Sequence, residues 1–370
     1  LSFLHNISER QTEDLVNFNL VAKCFVGLAV DEPAPDHSTL CLFKSRLLEN
    51  KKTTAFEMLL QEIIAIAQEK GVAFGSLQIV DSVHVIADVN VPKDEHRKDK
   101  GQGAHDPDAA WGVKHSKKVR DQHGNTVVQK EYFFGYKQHV SLNAATGLIT
   151  SVTHTAGGAY DGHQLPTLVK SDVAQGIPVK TVTADRGYDD GENHEFLHAN
   201  NMHSAIRLNE YRTNKKDDNK DVWIALQQSA EYRAGLKERY KVEPKFGEAK
   251  EQHGLRRCRY IGLLRFAVQG FLTAVTMNLK RLVAILTGDH GCTRIAAPII
   301  RVMLAPMSTF HAPSTRSRTS GRAGGASLPG AARYCSWAVC LEEMIFCKDW
   351  RAPTRAMGEK KQNRIKKTRA

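Results

Sequence analysis

The sequence predicts an α/β fold, a mixed sheet flanked by helices, and three observations carry that prediction. Short β-branched and apolar runs at 77–85, 132–142, 148–154, 179–184 and 204–207 read as strands. Amphipathic stretches with cap residues lie before, between and after them. Two of the strand-like runs also carry a carboxylate that burial alone would not choose: Asp81 inside Leu77–Val85, and Asp185 directly after Thr181–Ala184. A helical domain is expected at 1–70, the α/β domain at 71–286, and a low-order basic tail at 287–370.

Taken in order, Glu9–Val16 and Leu20–Gly27 read as helices, with Gly27 as a stop. After the loop marked by Pro33 and Pro35, Asp36 to Thr39 offer caps for a helix through Leu40, Phe43 and Leu47. Asp36 and His37 are expected to cap a turn rather than hold a metal. Met58–Ala67 is one more amphipathic helix, and Gly71–Val85 opens the α/β core. Lys93–Asn125, charged and glycine-rich, shows no hydrophobic period and is expected to be a loop that follows a polyanion.

Tyr132–Leu142 and Leu148–His154 form an expected hairpin around Asn143–Gly147, with His139 as a structural hydrogen bonder. Asp161 is expected to N-cap a helix through Leu165, Leu168 and Val173. The strand ending at Asp185 follows, then a helix at Glu192–Ala199, a strand at Ser204–Arg207 and a polar loop at Asn209–Asp221. Glu243 lies in a basic, helix-like segment where Pro244 imposes a kink or a helix start. If the turn continues, Glu243, Gly247 and Lys250 share a face. Gly254–Tyr260 is basic, and a helix at Ile261–Leu286 closes the core. From Thr287 onward Ser, Arg, Gly and Pro crowd together; that tail is expected to be disordered, with a frame shift as one origin.

Fifty-two Lys and Arg against forty Asp and Glu leave a net charge of +12, which suits a polyanionic partner. Seven Cys without a Cys-x-x-Cys pair argue against a disulfide scaffold or zinc knuckle and suit a reducing cytoplasm. Leu1–His5 lacks the features of a signal peptide. The apolar run 266–279, bounded by Arg265 and Lys280, is shorter than the roughly 18 residues a span requires, so no membrane is expected. A chain starting at Leu1 is expected to begin inside a longer reading frame.

Val80-Asp81-Ser82, Ala184-Asp185-Arg186-Gly187-Tyr188 and Arg239-x3-Glu243-x6-Lys250 together resemble the three motifs of the DDE transposases of bacterial insertion sequences. Asp31 to Thr39 looks like the N-terminal helical module of that family, and Asp106 to Ala109 and Gly135 to His139 match further segments. One departure is Leu236, where the family often has Tyr. The resemblance implies an RNase H-like core in which Asp81, Asp185 and Glu243 are the catalytic acids and hold two Mg²⁺, with Mn²⁺ as a substitute. Asp81 would bridge the ions. Arg239, Lys250, Arg256 and Arg257 would hold DNA, at element ends and target, in a homodimer or larger assembly. The expected chemistry is cleavage followed by attack of a 3′-hydroxyl on target DNA. A nuclease without strand transfer and a remnant that only binds DNA stay open. A zinc hydrolase has no His-Glu-x-x-His to stand on.

Overall fold

The computed structural model describes residues 1–48, 53–120, 126–213 and 219–288. The expected tail, with Cys292, Cys335, Cys340 and Cys347, therefore lies outside the described residues except at its first two positions. The helices are α1 (Ser2–His5), α2 (Glu9–Phe18), α3 (Leu20–Phe25), α4 (His37–Leu47), α5 (Thr54–Glu69), α6 (Val91–Asp99), α7 (Leu165–Ala174), α8 (Gly191–Ala199), α9 (Lys220–Gln228), α10 (Ala230–Glu238), α11 (Val242–Gln252) and α12 (Leu263–Thr287). The strands are β1 (Leu77–Ile86), β2 (Ala110–Arg120), β3 (Thr126–Asn143), β4 (Ile149–Ala156), β5 (Thr181–Ala184) and β6 (His203–Ile206).

Strand β1 is central. Its antiparallel neighbour β3 is long enough to pair β1 and β4 with one half and β2 with the other. On the opposite side β5 runs parallel to β1, and β6 parallel to β5. Leaving β2 aside, the order β4-β3-β1-β5-β6 is the RNase H-like mixed sheet expected from the motifs. Alternation along β1 divides its side chains between two cores. Ile79, Val83 and Val85 pack with Phe56, Leu60 and Ile64 of α5 and with Phe266 and Phe271 of α12. Val80 packs on the other face with Leu165 and Leu168 of α7, Leu197 of α8 and Ile206 of β6.

The structure departs from the sequence reading in four places. Lys93–Asn125 is not a loop throughout, because it contributes to α6 and supplies all of β2. Helix α6 has no apolar stripe; it starts on the Asn90 side chain, which accepts from the Lys93 N–H, with a proline in its first turn. Its buried Asp94 pairs with Lys98 at 3.2 Å. Helix α5, grouped by sequence with the N-terminal domain, fills the sheet's own core. Asp161 caps no helix with its side chain, which turns instead to partners in the sheet. Helix α12 spans 25 residues and is, by length and composition, sufficient to cross a bilayer, although Phe266, Val268, Phe271, Met277 and Leu282 bury one flank of it in the core.

Candidate active site

Parallel pairing of Val80 with Ala184 brings the residues that follow, Asp81 and Asp185, to neighbouring positions at the centre of the sheet. Strand β5 ends there because Asp185 leaves the ladder and accepts the Gly187 N–H at 2.8 Å, opening a 3-10 turn. Asp81 stays within β1 and accepts the N–H of Ser82 at 2.8 Å. Burial, and then the charge of Asp185, push the Asp81 carboxyl up to about 7. Burial likewise raises Asp185.

Arg239 comes from a 3-10 turn between α10 and α11 and donates to Asp81 Oδ2 at 3.2 Å. Its other terminal nitrogen lies 4.0 Å from Glu243 Oε1. Glu243 stands in the first turn of α11, so Pro244 marks a helix start, where its missing N–H leaves no bond unmade. Asp81 is 14 % exposed and Glu243 68 %, so the third acid sits at the rim with Arg239 between it and Asp81. Near Leu236, Tyr232 is buried and accepts the Leu208 N–H, and Tyr240 faces solvent.

A fourth carboxylate joins the site. Asp161 accepts from Ser82 Oγ at 3.0 Å and from Lys137 Nζ at 2.7 Å, and its charge adds to the rise at Asp81. The sequence offered only a weak clue, an acid shortly after the hairpin. Behind it the His139 ring lies 3.3 Å from the Tyr188 hydroxyl and 2.9 Å from that of Thr155; burial holds it down to about 4, so it is a neutral structural member. Of the remaining basic candidates, Lys250 lies two turns along α11 from Glu243. Arg256 pairs with Glu251, and Arg257 with Asp88 at 2.9 Å.

The donors suit a hard divalent cation. They are carboxylate oxygens, and two of them are half-buried, where a cation would relieve their repulsion. Asp81, Asp185 and Glu243 do not form a group whose ligand atoms all lie within 4.8 Å of one another, and Arg239 contacts both Asp81 and Glu243. Among the described residues, Glu13, Asp36 and His37 bring three ligand atoms within 4.8 Å of one another. That group caps α4: Asp36 accepts the Ser38 N–H at 2.7 Å, and Glu13 takes the His37 N–H at 2.9 Å.

The strand order and the acid pair on adjacent strands define an RNase H-like protein. A family model described as the transposase DDE domain matches residues 90–279, just over half of the 370, and the chain belongs to that family. The match includes Asp185 and Glu243 and begins beyond Asp81. A second model, a transposase domain designated DUF772, matches residues 1–46. The transposase for insertion sequence element IS1106 of Neisseria meningitidis serogroup B is 30 % identical over 151 residues, 40 % of this chain and 48 % of that protein. The chain thus spans about half the length of this curated relative. A Mos1 mariner paired-end complex with Mn matches at 12 % identity over 63 % of each chain, with a TM-score of 0.20. A Mos1 paired-end complex with the left transposon end matches at 9 % identity over 75 % of this chain and 78 % of that one, also at 0.20.

Proposed function

We propose that the protein is a DNA transposase that cleaves phosphodiesters at element ends and transfers the freed 3′-hydroxyl to target DNA. The observation that supports this best is the half-buried Asp81–Asp185 pair on adjacent parallel strands, with Arg239 linking Asp81 to Glu243. Asp81, Asp185 and Glu243 would hold Mg²⁺, or Mn²⁺ in its place. Bound there, a pair of such ions activates the attacking oxygen and stabilises the leaving one. Arg239, whose planar fork now rests on Asp81, would serve a phosphate, and Lys250 would offer a point charge further along the strand. Asp161, held by Lys137, keeps Ser82 and the backbone beside Asp81 in place. The reading also places the protein on DNA in the cytoplasm, as a dimer or larger assembly.

The test uses DNA carrying the repeats that bracket the gene. Wild-type protein with Mg²⁺ is expected to cut at the repeats and to join a pre-cleaved 3′-hydroxyl end to a target plasmid. Asp185→Asn should abolish both. Cutting without joining would leave a nuclease, and binding without cutting would leave a remnant.

A further inference from the structure

Asp161 comes to the Asp81–Asp185 pair from the 3-10 turn before α7, whereas Glu243 stands on α11 at the rim. At both Asp81 and Asp185 the charge of Asp161 adds to the rise that burial causes. A carboxylate has about four lone-pair positions, and two of these are taken. Asp161 Oδ1 accepts from Lys137 Nζ at 2.7 Å, and Oδ2 accepts from the Ser82 hydroxyl at 3.0 Å. Lys137 also donates to the Ala159 carbonyl at 2.9 Å, which holds the ammonium at Oδ1. Among the described residues Oδ2 therefore keeps only a neutral partner.

Gly187 makes room at that oxygen. A Cβ on Gly187 would stand 3.0 Å from Asp185 Oδ1 and 3.8 Å from Asp161 Oδ2. Gly187 is not one of the glycines with positive φ, so the backbone does not require glycine here. What glycine provides is an open space with one oxygen of each acid on its border. Asp81, Asp161 and Asp185 do not bring three ligand atoms within 4.8 Å of one another. Mg²⁺ suits such a setting, because it keeps several of its waters and can meet a carboxylate through one of them.

We propose that Asp161 is a fourth carboxylate of the cation site. With Asp185 across the space at Gly187, and Asp81 beside them, it takes up the first divalent ion without help from Glu243. Glu243, set apart behind Arg239, is then needed only for a second ion. The choice of a divalent ion rests on the transposase reading; the choice of Asp161 rests on the space at Gly187.

The test is binding of Mn²⁺ alone to the full chain, without DNA, followed by the loss of the free-ion signal in electron paramagnetic resonance. Asp161→Asn should weaken the first ion by about 10- to 100-fold, the usual loss when a group supporting a metal is removed. Gly187→Ala keeps every acid but fills the space, and should weaken it on the order of tenfold. Glu243→Gln should stay within about twofold of the wild type. So should Ser82→Ala, which takes the hydroxyl from Asp161 and leaves the carboxylate. Melting curves without metal identify any variant that fails to fold; if Asp161→Asn is one, Gly187→Ala decides. Wild-type affinity in Asp161→Asn or in Gly187→Ala would overturn the proposal, as would a first ion that needs Glu243. A loss in Ser82→Ala equal to that in Asp161→Asn would also overturn it, since Asp161 would then act only by holding Ser82. A protein that binds Mn²⁺ through Asp161 but never cuts DNA would keep the proposal and lose the transposase reading. One that cuts DNA while Asp161→Asn binds Mn²⁺ normally would do the reverse.

Discussion

At the scale of single residues, Asp81 opposes the fold it sits in. Its carboxyl stands near 7 in the folded chain, against about 3.9 in an unfolded one. The ionised form is therefore disfavoured on folding; the penalty is absent below about pH 4 and complete above about pH 7. Asp81→Asn is expected to raise the Tm in EDTA at pH 8, by about 2–4 °C per kcal/mol relieved, and to do nothing at pH 4. Under the proposed function Mn²⁺ is expected to raise the Tm of the wild type, and the same variant should lose that rise. A variant less stable at pH 8 would show that the Arg239 contact outweighs burial.

Glu248 has the opposite sign. Burial would raise it, yet His253, Lys245 and Lys280 prevail and hold it down to about 2. Its ion pair with Lys280, 2.8 Å long, fastens α11 to α12 and so fixes the base on which Glu243 stands. The stability it contributes is present above the ordinary 4.5 and is lost as pH falls toward 2. Glu248→Gln should cost about 2–3 kcal/mol at pH 7, with the two unfolding curves converging as the pH drops.

At the scale of elements, close approach decides what can change. Helix α12 crosses β4 at Gly270, where an added Cβ would collide with the ring of His154. Alanine normally favours a helix over glycine by about 1 kcal/mol, but overpacking here costs about 1–3 kcal/mol. Gly270→Ala is therefore expected to lower stability in urea unfolding, against its helix propensity. The same scale shows what the sequence could disclose. Runs rich in Val, Ile and Thr announced β1, β4 and β5, because such side chains fill the two packed faces of a sheet, while β6 offered only the short apolar pair Ala205-Ile206. Helix α6 and strand β2 gave no such sign. The first is held by a cap and a buried aspartate, the second by hydrogen bonds to β3. Asp81 and Asp185 were legible as acids misplaced among apolar neighbours. Arg239 reaching Asp81 from 158 residues away was not, and neither was Asp161 meeting Ser82 across 79.

At the scale of the whole molecule, the N-terminal helices are fastened to the end of the sheet domain by polar contacts. His253 Nδ1 lies 2.8 Å from the Phe3 carbonyl oxygen, Arg259 donates to the Ile7 carbonyl at 3.1 Å and to Asn6, and Glu9 binds both Lys44 and Tyr260. Arg259 also stacks its guanidinium over the Phe3 ring at 4.9 Å. Arg259→Ala should therefore expose residues 1–48 to limited proteolysis while the sheet's tryptic core survives. Equal resistance of both parts would show that the remaining contacts suffice.

The distance in sequence between Asp81 and Glu243 also governs when the protein becomes competent. More than 160 residues separate them, and β5 cannot join β1 until the crossover between them has been made. A chain still on the ribosome, or one ended early by a nonsense codon, has its first aspartate but no partner for it. Under the proposed function, a copy that stops before α11 would lack Glu243 and with it the complete set of acids.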